Sequence, residues 1–384
     1  MPRQGLYVAL IAAAVGVASA AQQNHSREFG PRACGPADPT QIRIASETGG
    51  QPFFLSPTEL AASTHIMRET ASADRELILW ASASSEGRPL EFPIPVDSSI
   101  GRLTISASFD RQGGTLNIVA PDGRVNPRPE GSEETILNCA HVLTIATPLQ
   151  GIWQAQVTGT GRAWVVASGR TDLGILSTQF VEQRGRPGHE GLFGISGQPV
   201  VGRPATLRVR LDKKYPAKPV FTLISAEGQQ IATVALAESG DAEFVGAVDL
   251  PREPFRVVAS AVDGSGDSIQ RVHAPVFRAE RVELQAPSVP ESLTAGTTTA
   301  IDVIVRNHGP AAQFHIVATN SGGPITRVGP RLLELAQGAE GTVRVWVNVP
   351  AGRGGVNLTV VATSTGTAAT SNSFTRTFAV AQTR

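Results

Sequence analysis

Apolar residues recur at every second position along most of this chain, which is the pattern of strands that bury one face. From Glu76 onward, short alternating runs are separated by turn residues such as those at 111–114 and 121–123. Short strands at this spacing predict antiparallel sandwiches rather than parallel units with crossover helices. The first set of predicted strands comprises 77–80, 103–108, 116–119, 142–145, 153–157 and 163–167.

Two further sets of strands follow the first. The second set comprises 205–211, 220–224, 231–236, 244–248 and 255–262, and the third comprises 299–305, 313–318, 341–347 and 358–362. Three units of about 100 residues match the usual size of such sandwiches. The predicted fold is therefore mainly β, with three tandem antiparallel Ig-like or fibronectin-like β-sandwiches over residues 76–180, 181–280 and 281–384.

A short strand and a helix are predicted in residues 41–75, with the strand at 52–55. Ser56 is suited to cap the helix, since Pro57 follows in the first position and Glu59 lies three residues on. One face carries Leu60, Thr64, Met67 and Ala71 at spacings of three and four. Such a small apolar face cannot bury itself, so we expect the piece to dock on the first sandwich.

The N-terminal residues 1–20 resemble a secretory signal. Arg3 supplies the charge, residues 6–17 form an apolar run, and Ala18-Ser19-Ala20 is a small-residue cleavage site. A membrane anchor is the competing interpretation, but the run is too short to span a bilayer. We therefore expect a secreted protein without a membrane anchor, in which a polar, Pro- and Gly-rich linker (21–40) precedes the strand–helix piece.

Cys34 and Cys139 are the only cysteines of the chain. In an oxidising compartment an even count permits one disulfide, which would join the linker to the first sandwich. A buried free thiol at Cys139 with an unrelated Cys34 is the alternative. The sequence leaves both open.

Charge adds little to this picture. The formal net charge is zero, and only Lys213, Lys214 and Lys218 among the 33 basic residues are lysines. The arginines are scattered without fixed spacing and are predicted to lie on the solvated surface. This distribution predicts no nucleic-acid partner.

The strongest candidate for a cation site is the segment Asp263-Gly264-Ser265-Gly266-Asp267-Ser268. It does not match an EF-hand, because Ala274 stands where position twelve needs Glu. A plain turn between two strands is the favoured interpretation. We therefore predict no metal site.

The remaining candidate residues match no catalytic or cofactor-binding motif. The seven histidines form no His-Glu-x-x-His or Cys/His cluster, and His308 and His315 are predicted to be surface or packed residues. We predict no catalytic residue and no cofactor. The four tryptophans lie in or beside predicted strands and are expected in cores, and they are Trp80, Trp153, Trp164 and Trp346.

A family resemblance covers residues 42–280. Residues 44–55, 92–100 and 103–108 resemble the passage in hemicentins and related extracellular proteins where a von Willebrand A domain ends and a β-rich region begins. Segments 117–123 and 148–153 are similar to that family's Pro-x-Gly turn and Pro-x-x-Gly-x-Trp strand start. The third sandwich resembles an Ig-like module of bacterial surface proteins, through segments 305–310 and 347–352.

The resemblance implies an extracellular protein. The chain differs from the family at its N-terminal side, because only residues 41–75 correspond to the end of an A domain. The metal-dependent adhesion of an intact A domain is therefore not implied. The expected function is a secreted, non-enzymatic structural or adhesive protein of the extracellular matrix or cell surface with an extracellular protein or glycan ligand. A carbohydrate- or cell-wall-binding accessory protein is the alternative.

Overall fold

The computed structural model describes residues 33–34, 38–70, 74–184, 188, 190–212, 215, 218–321, 325–350, 355–365 and 370–381. The predicted signal peptide and most of the predicted linker lie outside these residues. Within them, no helix is long and apolar enough to cross a lipid bilayer.

Among the residues that the structure describes, three short helices precede the strands. They are α1 (Pro39–Glu47), a 3₁₀ helix (Pro57–Ala62) and α2 (Ser63–Thr70). The side chain of Asp38 caps α1 by accepting a hydrogen bond from the Thr40 N–H, at 2.8 Å. Ser56 and Glu59 form the predicted capping box of the 3₁₀ helix.

Residues 38–70, which we call the helical segment, differ in detail from the predicted strand–helix piece. Helix α1 begins inside the predicted linker, and residues 52–55 form no strand beyond a bridge at Phe53. The predicted apolar face is also wrong, since Ile66 and Glu69 are buried while Met67 is 41% exposed. The reason is that the first half of the helix has 3₁₀ geometry, whose three residues per turn shift the face. Ala71 lies outside the described residues.

In the described residues, twenty-six strands follow the helices. The first eight are β1 (Arg75–Glu86), β2 (Leu90–Val96), β3 (Arg102–Phe109), β4 (Thr115–Val119), β5 (Glu133–Leu137), β6 (Ala140–Ala146), β7 (Gly151–Thr158) and β8 (Thr160–Arg170). The next nine are β9 (Ile175–Arg184), β10 (Gly191–Gly194), β11 (Ala205–Leu211), β12 (Val220–Ser225), β13 (Gln230–Val234), β14 (Ala237–Gly240), β15 (Glu243–Val248), β16 (Phe255–Val262) and β17 (Ser268–Val272). The last nine are β18 (Val282–Gln285), β19 (Ser292–Thr294), β20 (Thr298–Asn307), β21 (Ala312–Asn320), β22 (Ile325–Gly329), β23 (Leu332–Leu335), β24 (Glu340–Asn348), β25 (Gly355–Ser364) and β26 (Ser371–Ala381).

The strands of the described part of the chain form six sheets, and the predicted mainly β, sandwich-type fold class is confirmed. Their orders are β1-β8-β3-β6-β5, β2-β7-β4, β10-β9-β11-β15-β14, β13-β12-β16-β17, β18-β20-β24-β22 and β19-β26-β25-β21-β23. One departure from the predicted antiparallel arrangement is that β19 pairs with β26 in parallel.

Two cores show how the sheets face each other. In the first, Leu103 and Ile105 of β3 pack with Ile94 of β2 and Trp153 of β7, all nearly inaccessible to solvent. In the second, the sheets containing β20 and β21 enclose another large cluster, which includes Ile301, Val303, Phe314, Leu358 and Phe378. Alternate residues of each strand therefore bury one face, as the period of two predicts.

Two compact units divide the chain. The first comprises the residues up to Thr178, Arg208–Gly246 and Glu253–Val276, and the second comprises Gln179–Leu207, Ala247–Arg252 and the residues from Phe277 onward. The first unit contains the helical segment, the sheets of β1–β8 and the sheet β13-β12-β16-β17. The three-sandwich division at 180 and 280 stays a prediction.

Candidate functional site: a buried polar joint and pocket in the first unit

The outer face of the sheet β1-β8-β3-β6-β5 is buried, and along β3 it is polar. Thr104, Ser106 and Ser108 of β3 point away from the apolar core, yet each is at most 1% exposed, because the helical segment covers them. Gln51 lies over this face and donates to the Ser108 hydroxyl at 3.0 Å and to the Trp164 carbonyl at 2.9 Å. The free-energy cost of burying these small polar side chains is offset because each has a hydrogen-bond partner.

Apolar contacts dock the same segment. Phe53, Leu55 and Ile66 form a buried cluster with Ala140 and Val142 of β6. The expectation that the residues after the predicted linker dock on the first sandwich is therefore confirmed, although by side chains other than Leu60 and Met67.

An ion-pair cluster closes one edge of this face. Glu69 is 4% exposed. Its carboxylate oxygens lie 3.0 Å from Nε of Arg68 and 3.1 Å from Nη2 of Arg75. Burial alone would raise the pKa of Glu69, but hydrogen bonds from Arg68 and Thr144 and the charge of Arg75 outweigh it and lower the pKa. Glu69 therefore remains ionised and holds α2 against β1.

Three potential metal ligands meet in this cluster. One atom each of His65, Glu69 and Glu133 lies within 4.8 Å of the others. Both carboxylates, however, already face guanidinium groups: Arg68 and Arg102 contact Glu133 at 2.9 Å and 3.0 Å. These cations would repel a divalent ion, so we interpret the cluster as a network of salt bridges.

A buried ion pair joins the first sandwich to the sheet of β16 and β17. Arg271 of β17 and Asp97, which follows β2, are 0% and 1% exposed, and Nη1 donates to Oδ2 at 2.8 Å. Burial alone would raise the pKa of Asp97, but the hydrogen bond and charge of Arg271 hold it below its usual value.

Every N–H of the Arg271 guanidinium finds an acceptor. Besides Asp97, the acceptors are the carbonyl of Leu173 at 2.7 Å, the carbonyl of Gln270 at 2.8 Å and the hydroxyl of Ser99 at 3.0 Å. With Asp97 taking two of the five donors, the group is fully satisfied. A buried charge with complete bonding fixes geometry because any displacement breaks several bonds at once.

A second buried arginine lies in the same contact between the first sandwich and the sheet of β16 and β17, which we call the joint. Arg256 of β16 is 0% exposed and its guanidinium carbon stands 4.0 Å from the ring centroid of Trp80. It donates to the backbone carbonyls of Ser46 and Ala274. Burial lowers the pKa of Arg256 to about 9. Arg256 thus connects the end of α1, strand β1 and the residues after β17.

Close backbone approach at this joint requires a glycine. Gly228, between β12 and β13, has φ +90°, and a Cβ there would stand 2.5 Å from the Trp80 carbonyl oxygen. Gly266 has nearly the same φ of +93° but open space around it. The two positions therefore separate the cost of crowding from the cost of a left-handed backbone.

We expect Gly228→Ala to destabilise the chain by about 1–3 kcal/mol more than Gly266→Ala. Both variants carry the positive-φ cost of about 1–2 kcal/mol, so their difference reports the clash with β1. Urea unfolding of the two purified variants measures it. Equal unfolding midpoints would show that β1 and the β12–β13 turn are not in this close contact.

A pocket of about 230 Å³ opens beside the joint. Its walls come from the helical segment, β1, β8, β9 and β17, and the residues after β17, and they include the titratable side chains of Arg75, Glu76 and His273. Burial raises the pKa of Glu76 to about 6, although Arg271 opposes this. Burial also lowers the pKa of His273 to about 4, so His273 is neutral near pH 7.

The raised pKa of Glu76 predicts that the stability of the folded chain depends on pH. A carboxyl group whose pKa is raised by folding binds protons more tightly in the folded chain, so its contribution to stability falls as pH rises through about 4.5 to 6. We expect Glu76→Gln to stabilise the chain by up to about 2 kcal/mol at pH 7 and to leave stability unchanged near pH 4. Urea unfolding of both proteins at the two pH values measures this, and a Gln variant that is less stable at pH 7 would contradict it.

The two cysteines lie together. Cys34 and Cys139 form a disulfide, with the Cys34 N–H donating to the carbonyl of Asp110 at 2.9 Å. The bond ties the residues before α1 to the turn between β5 and β6. The sequence leaves open a disulfide or a free thiol at Cys139, and the structure has the disulfide.

The candidate cation segment is the turn between β16 and β17. An Asp263 carboxylate oxygen accepts hydrogen bonds from the N–H groups of Ser265 at 2.9 Å and Asp267 at 3.0 Å, which is how a turn satisfies its own backbone. The favoured interpretation of this segment as a turn is confirmed. The expected lack of a metal site stays a prediction.

Of the other candidate residues, all but His315 are packed or paired. Trp80, Trp153 and Trp164 are buried, as expected, and Trp346 is half-buried. His308 contacts Glu283 at 2.8 Å. His315 is exposed.

The buried arginines of the ion-pair cluster and of the joint could not be predicted from the sequence. The expectation that arginines lie on the solvated surface is wrong for Arg75, Arg256 and Arg271, whose side chains are almost fully buried. A signal was present for Arg256, since it interrupts the apolar run of β16. Its partners lie up to 210 residues away in the chain, so spacing could not identify them.

No protein-family model matches the chain. No curated protein matches it either. Among solved structures it is similar to a DUF4785 family protein from Legionella pneumophila, with TM-score 0.36, 11% identity and coverage of 76% of this chain and 89% of that one.

Two further similarities are to modular β proteins. The fibronectin(III)-like modules of Clostridium thermocellum CbhA match with TM-score 0.17 and 12% identity, over 53% of this chain and 94% of theirs. The ICAM-5 D1–D4 ectodomain fragment matches with TM-score 0.20 and 14% identity, over 79% and 77%. At such low scores these similarities carry no inference, and the fold class rests on this chain's own sheets.

Proposed function

We propose that this chain is a secreted, non-enzymatic structural or adhesive protein that presents a rigid surface to an extracellular protein ligand. The observation that carries the proposal is the buried joint of the first unit. Its charged groups bond segments of the chain to one another, as Arg271 does for Asp97 and the Leu173 carbonyl. A joint of this kind keeps two neighbouring sheets fixed, which is what a spacer or adhesive scaffold requires.

Burial of these charges supports a role other than catalysis. Catalytic acids and bases must touch a substrate, whereas Asp97, Arg256 and Arg271 are at most 1% exposed. Structural ion pairs also perturb pKa values. The shifted pKa of Asp97 is therefore accounted for by its partner.

Secretion is supported by two features. The N-terminal residues 1–20 have the pattern of a signal peptide. The disulfide between Cys34 and Cys139 suits an oxidising compartment, since cytosolic thiols are kept reduced. The resemblance to hemicentins and related proteins stays a prediction and agrees with this location.

The carbohydrate-binding alternative has less support. Sugar platforms stack rings on exposed aromatic side chains, but Trp80, Trp153 and Trp164 belong to the buried interior. Trp346 is half-buried and Arg327 stands 4.9 Å from its ring centroid. We therefore place an extracellular protein ahead of a glycan as the ligand.

An adhesion assay tests the proposal. Beads coated with the native chain and beads coated with the reduced, alkylated chain are passed over immobilised matrix proteins and over a glycan array. We expect saturable retention of native beads on at least one protein surface and loss of retention after reduction. Equal retention of both beads, retention on glycans alone, or turnover of ester, peptide or glycoside substrates by the native chain would overturn it.

A further inference from the structure

The pocket beside the joint contains a buried hydroxyl group that the rest of the described chain leaves unpaired. Ser168 of β8 lines this pocket and is 7% exposed, and its hydroxyl has no hydrogen-bond partner among the described residues. Its side chain lies on the outer face of the sheet, since the neighbouring Ala167 belongs to the apolar core. The hydroxyl therefore opens onto the pocket and is available to a ligand.

A cation with an unmade hydrogen bond lies next to Ser168. Arg75 of β1 also lines the pocket, its side chain is 4% exposed, and its Nε is buried without a partner in the described part of the chain. Its Nη1 donates to the hydroxyl of Thr104 on β3, and Thr104 pairs with Ser168 across the ladder. Because β8 lies between β1 and β3, the Arg75 side chain crosses β8 beside Ser168. Both groups thus belong to one wall of the pocket.

The charge at this wall favours an anion. Within the described residues, four arginines contact three carboxylates here, namely Arg68, Arg75, Arg102 and Arg170 with Glu69, Glu133 and Asp74. Burial lowers the pKa of Arg75, and repulsion from Arg102 and Arg170 lowers it further, although Glu69 and Asp74 act in the opposite direction. The undescribed residues 71–73 are Ala, Ser and Ala and add no charge. A bound anion would therefore stabilise the Arg75 cation.

The other titratable groups of the pocket do not offset this charge. The Glu76 carboxylate lies against Gly174, accepts a hydrogen bond from the Ile175 N–H and interacts with Arg271 rather than with Arg75. Neighbouring side chains alternate across a strand, so Glu76 and Arg75 leave β1 on opposite faces. Burial lowers the pKa of His273 to about 4, so its ring is neutral near pH 7.

Apolar walls and size define the rest of the ligand. Leu77, Val166 and Val272 line the pocket together with Phe53. A cavity of about 150 Å³ holds one benzene ring, so a pocket of about 230 Å³ admits a body only slightly larger. The pocket therefore suits a compact molecule of about ten non-hydrogen atoms.

We propose that this pocket binds a small organic acid, with its carboxylate at Ser168 and Arg75 and its apolar body against Leu77, Val166 and Val272. The Ser168 hydroxyl donates a hydrogen bond to a carboxylate oxygen, and the Arg75 guanidinium supplies the opposite charge. This inference goes beyond the proposed adhesive function, which requires no small-molecule ligand.

Calorimetric titration of the full chain tests the inference. The probes are benzoate and isovalerate, and the controls are benzamide and isovaleramide, which keep the shape of each acid and lose its charge. At pH 7 we expect each acid to bind at least about tenfold more tightly than its amide. The acids should also raise the urea concentration at the midpoint of unfolding, since a ligand that binds only the folded chain stabilises it.

Matched serine variants locate the binding. Ser168→Ala breaks no hydrogen bond of the unliganded chain, so we expect unchanged stability and at least about tenfold weaker binding of the acids. Ser82→Ala is the control, because Ser82 of β1 is 5% exposed in the same sheet but does not line the pocket. Arg75→Gln should reduce the preference for acid over amide.

Three results would overturn the inference. The first is that neither acid binds the wild-type chain, and the second is that acid and amide bind equally well. The third is that Ser168→Ala and Ser82→Ala bind the acids with the same affinity.

Discussion

Replacing Arg271 with methionine is expected to lower the free energy of unfolding by about 3–5 kcal/mol. The change leaves the Asp97 carboxylate buried at 1% exposure without its cation, and it also removes the donor to the Leu173 carbonyl. An uncompensated buried charge is among the most destabilising single changes in proteins. Urea unfolding at pH 7 measures the loss.

Two comparisons make this result specific to the buried pair. The double variant Asp97→Leu/Arg271→Met should recover much of the stability, because it removes both charges. Arg344→Met breaks an exposed pair in which Arg344 contacts Asp302 at 2.6 Å, and we expect no measurable change. Equal effects of the Arg271 and Arg344 variants would contradict the buried joint.

Removing the disulfide should have the second largest effect. The bond closes a loop with a sequence separation of 105 residues, and loops of this length restrict the unfolded chain strongly. We expect Cys34→Ser/Cys139→Ser to lose about 2–4 kcal/mol of stability. Urea unfolding with and without reductant measures the loss.

The double serine variant is its own control for reductant. Wild-type protein should lose stability when reductant is added, and the serine variant should be unaffected by it. If the oxidised wild type and the serine variant unfold at the same urea concentration, the bond does not hold the residues before α1 to the β5–β6 turn.

The strands and cores follow from the sequence because their signal is local. Leu103, Ile105 and Ala107 alternate along β3, and all three are buried in the first core as the period of two predicts. The same alternation places Thr104 and Ser106 on the other face, where a sequence-based argument expects solvent. They are buried because the helical segment covers them, and nothing in the local pattern of β3 reports that contact.

The joint could not be predicted for the same reason. Arg271 and Asp97 are 174 residues apart, and each is an ordinary charged residue in its own segment. Their pairing depends on how two sheets meet, which periodicity does not determine. The buried arginines therefore departed from the expected solvated surface, while the Asp263 turn, whose hydrogen bonds are all local, was predicted correctly.

Native-state hydrogen exchange of the first unit tests the central claim most directly. If the joint makes one rigid body, slowly exchanging amides of β3 and β8 and those of β16 and β17 should open with the same free energy in the wild-type protein. In Arg271→Met, the amides of β16 and β17 should open at a lower free energy than those of β3 and β8. Separate opening of the two groups in the wild type, or joint opening that Arg271→Met leaves unchanged, would contradict it.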